Sequence, residues 1–439
     1  NQTASTASTT ATFTSIVLDK NDNPHIAYYI AGNSKQVFIA DYSGSSWTTT
    51  APDAAGNEGN GCALAIDTFT GRYYLSYQDS SPKREYFAKR VNNYWTAMGG
   101  GAAPTQVATN ISEIGASAIA LSSGGANTHI TYLDSNLKYA VSTDSGAFAI
   151  SDIDATATVG QWSDIFVASF TSVHVSYYDP TNGDLKYAFY NGSAWTVATI
   201  ASVGTVGLYT SIAVDSATRV HISYYDSTNG DLKYIYRTST GGWISSSVDS
   251  LGDVGQFTSI GLVGTQPHIA YYDVSNTNLK YAKLVGNAWT VETVDAVGSV
   301  GTYASLKIDS ANQPHISSFY AASSSQYLLR WAKKGASKPD IMAKNSADGA
   351  YTGDNTYNTN ATGQTVGANV SPLTAAVFHY QVQNDGATAN VTMTGTAGDA
   401  NFTISYYDAL TGGNNITANM TGAGHTLTAL TLGVPSYIR

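Results

Sequence analysis

The chain is poor in charge, in sulfur and in long apolar runs, and each shortage closes off a class of protein. Charged residues make up 12% of the 439, about half of the roughly 25% found in an ordinary domain. Ser, Thr and Asn fill the surface positions that Lys and Glu would otherwise hold. A surface solvated by hydroxyls and amides suits an extracellular or cell-surface setting. The formal net charge is −10 and no basic run offsets it, so long-range attraction to phosphate is missing and nucleic acid is not an expected partner. No stretch is apolar for long enough to form a membrane helix, so no span is expected. The single Cys62 forbids an intrachain disulfide, and within GCALAID it reads as a small buried hydrophobe on a strand. The chain starts Asn1-Gln2-Thr3 without an initiator Met, as though a leader had been removed.

What the chain has instead is a repeat rich in Gly (41) and Tyr (31). Its clearest copy is HISYYDSTNGDLKYIY, His221 to Tyr236. Aligned on its first position, the copies start at His25, Tyr74, His129, His174, His221, His268 and His315, with spacings of 49, 55, 45, 47, 47 and 47 residues. Each copy contains four short stretches that alternate with period two and are separated by Asn, Gly, Asp and Ser turns, the pattern of antiparallel hairpins. A four-stranded unit of this period predicts a propeller blade, and seven units predict a seven-bladed β-propeller over residues 12–338. Trp47, Trp95, Trp195, Trp243 and Trp289 recur at one place in the unit, with Phe148 in the third copy, which predicts aromatic packing between neighbouring blades. The seventh unit lacks a Trp-led fourth strand after LLRWAKK. Residues 1–11 can supply it, because Asn1 to Ser5 align with the outer strand Val291 to Asp295. That segment has two open readings: it closes its own ring, or it is donated to a neighbouring subunit.

From residue 339 to 439 the repeat stops. Runs such as AAVFHYQVQ, NVTMTG, FTISYYD and HTLTALTL predict an immunoglobulin-like β-sandwich whose last strand, in LTLGVPSYIR, is short. A short last strand leaves a groove that an inserted strand would fill. Asn1, Gln2 and Thr3 at one end and Tyr437, Ile438 and Arg439 at the other are therefore the candidate residues of a head-to-tail assembly.

The repeated His, Tyr and Asp first suggest a site. Identical groups on seven blades point in seven directions, so His25, His129, His174, His221, His268 and His315 are expected to be structural. Asp79, Asp134, Asp179, Asp226 and Asp273 end the same strand in five units. The Asp179 and Asp226 loops resemble the start of a calcium loop but lack its downstream Gly and Glu, so they read as hairpin turns, compatible at most with weak structural calcium. No cofactor is expected. The Gly-rich stretches VGTVGLYTS, LGDVGQFTS and VGSVGTYAS read as crossovers between blades, since neither a Lys-Ser/Thr pair nor a helix follows them. Asp164 and Glu113 are the two acids out of pattern, and nothing in the sequence brings them together. Asn-x-Ser/Thr sequons at Asn110, Asn191, Asn360, Asn369, Asn390, Asn401, Asn415 and Asn419, and at Asn1, mark candidate glycosylation sites.

The HISYYD and LKYA units resemble β-propeller repeats of secreted and surface proteins of bacteria and archaea, over roughly residues 12 to 334. PDIMAKNSADGAYTGDNTYN, FHYQVQNDG and ISYYDALTGGNNITANMTGAG resemble a sandwich module of bacterial extracellular multidomain proteins. The resemblance implies an exported protein and carries no catalytic residues. The leading expectation is a non-enzymatic extracellular structural or adhesive protein that self-associates into a filament or surface layer. A carbohydrate-binding, lectin-like propeller with glycans as partners is the first alternative, and a propeller glycosidase or lyase the second.

Overall fold

The second stretch of each repeat, VHISYYD in its fifth copy, combines β-branched and aromatic residues that are apolar on both faces, so it can only be a central strand. In the computed structural model every residue from Val220 to Asp226 is buried. The structure describes residues 2–7, 11–31, 36–52, 58–80, 83–91, 94–96, 104–109, 111, 117–122, 125, 127–143, 147–156, 158–323 and 326–333 of the repeat region. Beyond it, residues 339–345, 378–384, 389–393, 405–407, 415–421, 425–430 and 436–438 are described.

The repeats form a seven-bladed β-propeller of antiparallel sheets. Blade 5 is representative, with an inner strand Val206–Val214, then Val220–Asp226, Asp231–Arg237 and an outer strand Trp243–Asp249. In blade 2 the third strand, Lys83–Val91, pairs with both Tyr94–Thr96 and Thr105–Thr109. Blade 7 is completed by the N-terminal strand Gln2–Ala7, which pairs antiparallel with Gln326–Lys333. Gln2 and Thr3 lie opposite Trp331 and Arg330 of the same chain, and the Tyr28 hydroxyl donates to Ser5 Oγ at 2.7 Å. The last hundred residues form a separate compact unit, divided from the propeller after Lys333. In it Pro339–Asn345, Phe378–Asn384 and Ser436–Ile438 make one sheet, which holds Tyr437 and Ile438, and Ala389–Met393 pairs with His425–Leu430. The rest of the expected sandwich lies outside the described residues, as do Asn1, Arg439, Asn110, Glu113, Asn360, Asn369 and Asn401.

The hydrophobic cores lie between blades. Seven clusters fill the seven interfaces; that between blades 4 and 5, for instance, joins Leu185 and Tyr187 to Val206, Ile212, Ile222 and Tyr224. Trp195, Trp243 and Trp289 each reach back and pack edge-on against a third-strand tyrosine of the preceding blade, Tyr139, Tyr187 and Tyr234, at 5.1 to 5.2 Å between ring centres. Those tyrosines are held from the other side by the repeat histidines. Nδ1 of His129, His174 and His221 lies 2.5 to 2.7 Å from the hydroxyls of Tyr139, Tyr187 and Tyr234, and His268 pairs likewise with Tyr281. In blade 1 His25 pairs with Asp41, and in blade 7 His315 pairs with Asp309. Glycine is required where crossovers pass closest. Gly207 has φ +105°, and a Cβ there would sit 2.7 Å from the Leu185 backbone.

Charge also crosses the interfaces. Asp249, at the end of the outer strand of blade 5, receives Lys280 Nζ at 2.5 Å and the Tyr271 hydroxyl at 2.7 Å, both from blade 6. Asp154 plays the same part for Lys186 and Tyr177. Removing one member of such a buried pair strands the other, so Asp249→Ala is expected to cost about 3–5 kcal/mol, measured by guanidinium denaturation. Burial also holds His129 and His174 down at about 4, well below an ordinary imidazole. Between pH 6.5 and 4 the unfolded chain therefore binds protons that the native state refuses. These two histidines are expected to make stability fall with pH inside that window, by up to ~1.4 kcal/mol per pH unit each, and to add no slope above it. Melting temperature followed across pH checks this, and the His129→Gln, His174→Gln double variant should flatten the fall.

A candidate functional site at the channel mouth

The inner strands surround a central channel of about 570 Å³. Where they begin, each of six blades has a register irregularity in its pairing with the second strand, between Gln256 and Ser259 in blade 6 for example. Bulges of this kind re-aim a side chain at the cost of a ladder bond. Here they bring five aromatic residues to one end of the channel: Phe13 of blade 1, Trp162 of blade 4, Tyr209 of blade 5, Phe257 of blade 6 and Tyr303 of blade 7.

All five sit in left-handed backbone, with φ between 52° and 55°. Such a conformation is rare for bulky residues and costs about 1–3 kcal/mol each. Blade 2 shows what the backbone itself prefers, because Gly61 occupies the same position with φ 67°. The aromatics are therefore kept against backbone preference. Ring packing returns part of the cost, since neighbouring centres lie 4.3 Å apart for Trp162 and Tyr209, 4.6 Å for Tyr209 and Phe257, 4.3 Å for Phe257 and Tyr303, and 5.1 Å for Tyr303 and Phe13. The result is a half-buried aromatic crescent over five consecutive blades. Behind it stand Tyr225 and Tyr272, 6.1 Å from Tyr209 and 6.4 Å from Phe257. Burial raises the Tyr209 and Tyr303 hydroxyls above their ordinary range, so both stay protonated donors.

Below the crescent the wall is lined by small, aliphatic and hydroxyl residues. Here inner-strand side chains stitch the ring. Ser15, Ser211, Ser259 and Ser305 accept backbone N–H groups of the next blade, from Leu64, Ile260, Leu306 and Ile16, at 2.9 to 3.2 Å. Asp164 occupies the same position in blade 4, where its Oδ2 accepts the Ile212 N–H at 2.9 Å and the Ser211 hydroxyl at 2.8 Å. Burial pushes its carboxyl up against those hydrogen bonds. Asp164 and Lys307 are the charged side chains of the described channel wall.

Apart from Asp164, the residues singled out from sequence fall elsewhere. The six histidines are spent within the blade interfaces. The Asp179 and Asp226 carboxylates are occupied by the amides of their own turns, through Thr181 and Asn182 and through Thr228 and Asn229. Among the described residues no group of three or more His, Cys, Asp or Glu is placed to hold a metal ion. Cys62 is buried, and its thiol is pushed up to about 12 by desolvation, which leaves it unreactive at neutral pH. Of the sequons, Asn191 lies in an exposed turn and accepts three hydrogen bonds from Ser193 and Ala194, and Asn415 is exposed. The crescent was visible in outline. GLYTS, GQFTS and GTYAS carry an aromatic at one repeat position, but their glycines explain the crossover and draw attention away from it.

No protein-family model matches the chain, and neither does any curated protein. Solved structures share its fold. An ulvan lyase, described as a new family of polysaccharide lyase and bound to -[GlcA(1-4)Rha3S]-, is 13% identical, with a TM-score of 0.50 over 75% of this chain and 96% of its own. The Aleuria aurantia lectin in complex with Fucα1-6GlcNAc is 15% identical, with a TM-score of 0.43 over 63% and 95%. A Hadza microbial sialidase is 13% identical, with a TM-score of 0.43 over 60% and 63%. The expectation of a non-enzymatic protein is corrected at this point: the ulvan lyase is an enzyme built on this fold, so repeated scaffold residues and a missing sequence motif are no argument against catalysis.

Proposed function

We propose that the protein recognises carbohydrate at the aromatic mouth, as a lectin-like propeller. The carrying observation is that five aromatics are held at strained φ in one crescent where the backbone of blade 2 takes glycine. A pyranose presents an apolar face of C–H groups and a rim of hydroxyls. Half-buried rings offer the first a flat, rigid partner, and Tyr209 and Tyr303 offer the second a donor. A mostly apolar concavity with a few convergent polar groups is the usual form of a small-ligand site. The low-charge surface supports an extracellular setting, where polysaccharide is the available partner, and an adhesive role follows if that polysaccharide belongs to a surface.

Screening the full chain against immobilised neutral and anionic polysaccharides tests this reading. Trp162→Ala and Tyr209→Ala are each expected to weaken binding about tenfold, equal to ~1.4 kcal/mol, with a modest fall in melting temperature, because Ala keeps the Cβ that strains the left-handed backbone and loses the ring packing. Binding unchanged in both variants would sink the proposal. The same incubations, followed for new reducing ends and unsaturated uronates, read turnover directly.

A further inference from the structure

The crossovers leading into blades 4, 5 and 7 carry Thr158, Thr205 and Ser299 two residues before a glycine of positive φ, and the crossover into blade 6 carries Asp253 there. The crossover itself does not need the acid, because the Asp253 backbone makes the same bonds as the Thr205 backbone. Its N–H donates to Ser275 Oγ at 2.8 Å, as that of Thr205 does to Thr228 Oγ1 at 2.7 Å. Its carbonyl accepts the Val274 N–H, as that of Thr205 accepts the Ser227 N–H. A carboxylate in place of a hydroxyl adds to the self-repulsion of a chain already at −10, so its presence asks for another reason.

Its surroundings supply one. Asp253 lies four residues before Phe257 in the chain, and its Oδ1 accepts the Tyr225 hydroxyl at 2.7 Å, behind Tyr209. The tyrosine does not require an acid, since its counterpart Tyr272 faces Ser299 at 3.4 Å instead. Asp253 is partly exposed, and its Oδ2 makes no hydrogen bond among the described residues. Its charge also reaches Tyr209, where it adds to burial in keeping that hydroxyl a protonated donor. The cations of the third strands in blades 4 to 7 are already held by other aspartates: Lys186 by Asp154, Lys233 by Asp231, Lys280 by Asp249 and Arg330 by Asp295. Lys307 lines the channel four residues beyond Tyr303, about 13 Å further along its strand. Lys83 and Arg84 stand on blade 2, off the crescent. A carboxylate only accepts hydrogen bonds, so it suits the hydroxyls of a sugar and repels a second anion. A uronate or sulfated sugar on Tyr209 and Phe257 would meet that repulsion with the neighbouring cations already paired.

We propose that Asp253 is the polar anchor of the crescent: its Oδ2 accepts a hydroxyl of a sugar stacked on Tyr209 or Phe257, and its charge restricts the mouth to uncharged glycans. The inference rests on the carbohydrate reading, deepens it to a substrate class, and is separable from it by experiment. Calorimetry on the full chain compares β-1,4-mannohexaose with the β-1,4-mannuronate hexamer, and cellohexaose with its counterpart oxidised to the carboxylate at C6. Each pair differs only in the carboxylate. The wild type is measured beside Asp253→Thr, Asp253→Asn and Trp162→Ala, with melting temperatures for all four. The wild type is expected to bind the neutral member of a pair about tenfold more tightly than the acidic one. Asp253→Thr restores the residue of the preceding crossover, so it should melt within a few degrees of the wild type, bind the neutral sugar about tenfold more weakly and lose the preference. Asp253→Asn keeps an acceptor without the charge, so it should recover much of the neutral affinity and admit the acidic sugar. Three results, each with Trp162→Ala still losing affinity, overturn the anchor and leave the mouth standing: no preference in the wild type, an Asp253→Thr variant that binds both members as the wild type does, or one that melts far below it. Unchanged binding in Trp162→Ala, or no binding of any of the four sugars by the wild type, overturns the carbohydrate reading and the anchor with it.

Discussion

A blade of this protein cannot bury its own faces. Four short strands give a sheet that is apolar on both sides, and only a neighbouring sheet on each side removes that surface from water. Every core cluster accordingly joins two blades, and the other regularities serve that requirement. The outer-strand tryptophans press on tyrosines of the blade before, the histidines hold those tyrosines upright, and the inner-strand serines take the amides of the blade after. The terminal aspartates draw lysine or arginine across the same gaps. Stability is thus shared among seven similar interfaces, which leaves the inner rim free to vary.

The fold was legible because the interface chemistry repeats. His221, Tyr234 and Trp243 do the same work as His174, Tyr187 and Trp195, so period and aromatic spacing together reveal blades and their packing. The site was less legible, for a physical reason. Phe13, Trp162, Tyr209, Phe257 and Tyr303 also repeat, and repetition in a propeller normally marks scaffold. What separates them from scaffold is backbone conformation: a tyrosine at φ 53° is a cost that a sequence does not display. Asp253 was hidden differently. It lies in LGDVGQFTS, where an acid between glycines suggests an ordinary turn, and only its hydrogen bond to Tyr225 shows that it stands behind the crescent.

The departures from seven-fold likeness are concentrated. Blades 4 to 7 and blade 1 keep the aromatic at the mouth, and all but blade 4, with Asp164, keep the serine below it. Blade 2 replaces the pair with Gly61 and Ala63, and blade 3 has Ala118 at the serine position. A ring of identical units has no preferred direction across its face. Losing the aromatics on one arc creates one, so the crescent has a defined direction toward the gap.

The closing of blade 7 by Gln2–Ala7 has a consequence in time as well as in space. During synthesis this strand emerges before every other strand of the propeller, yet its partner Gln326–Lys333 is among the last to appear. For most of translation it has no place to pair. Its make-up of Gln, Thr, Ser and small Ala residues suits that wait, because it exposes little apolar surface to chaperones or to other chains. The propeller therefore stays an open array until its last blade is made, and one polar strand then turns the array into a closed ring.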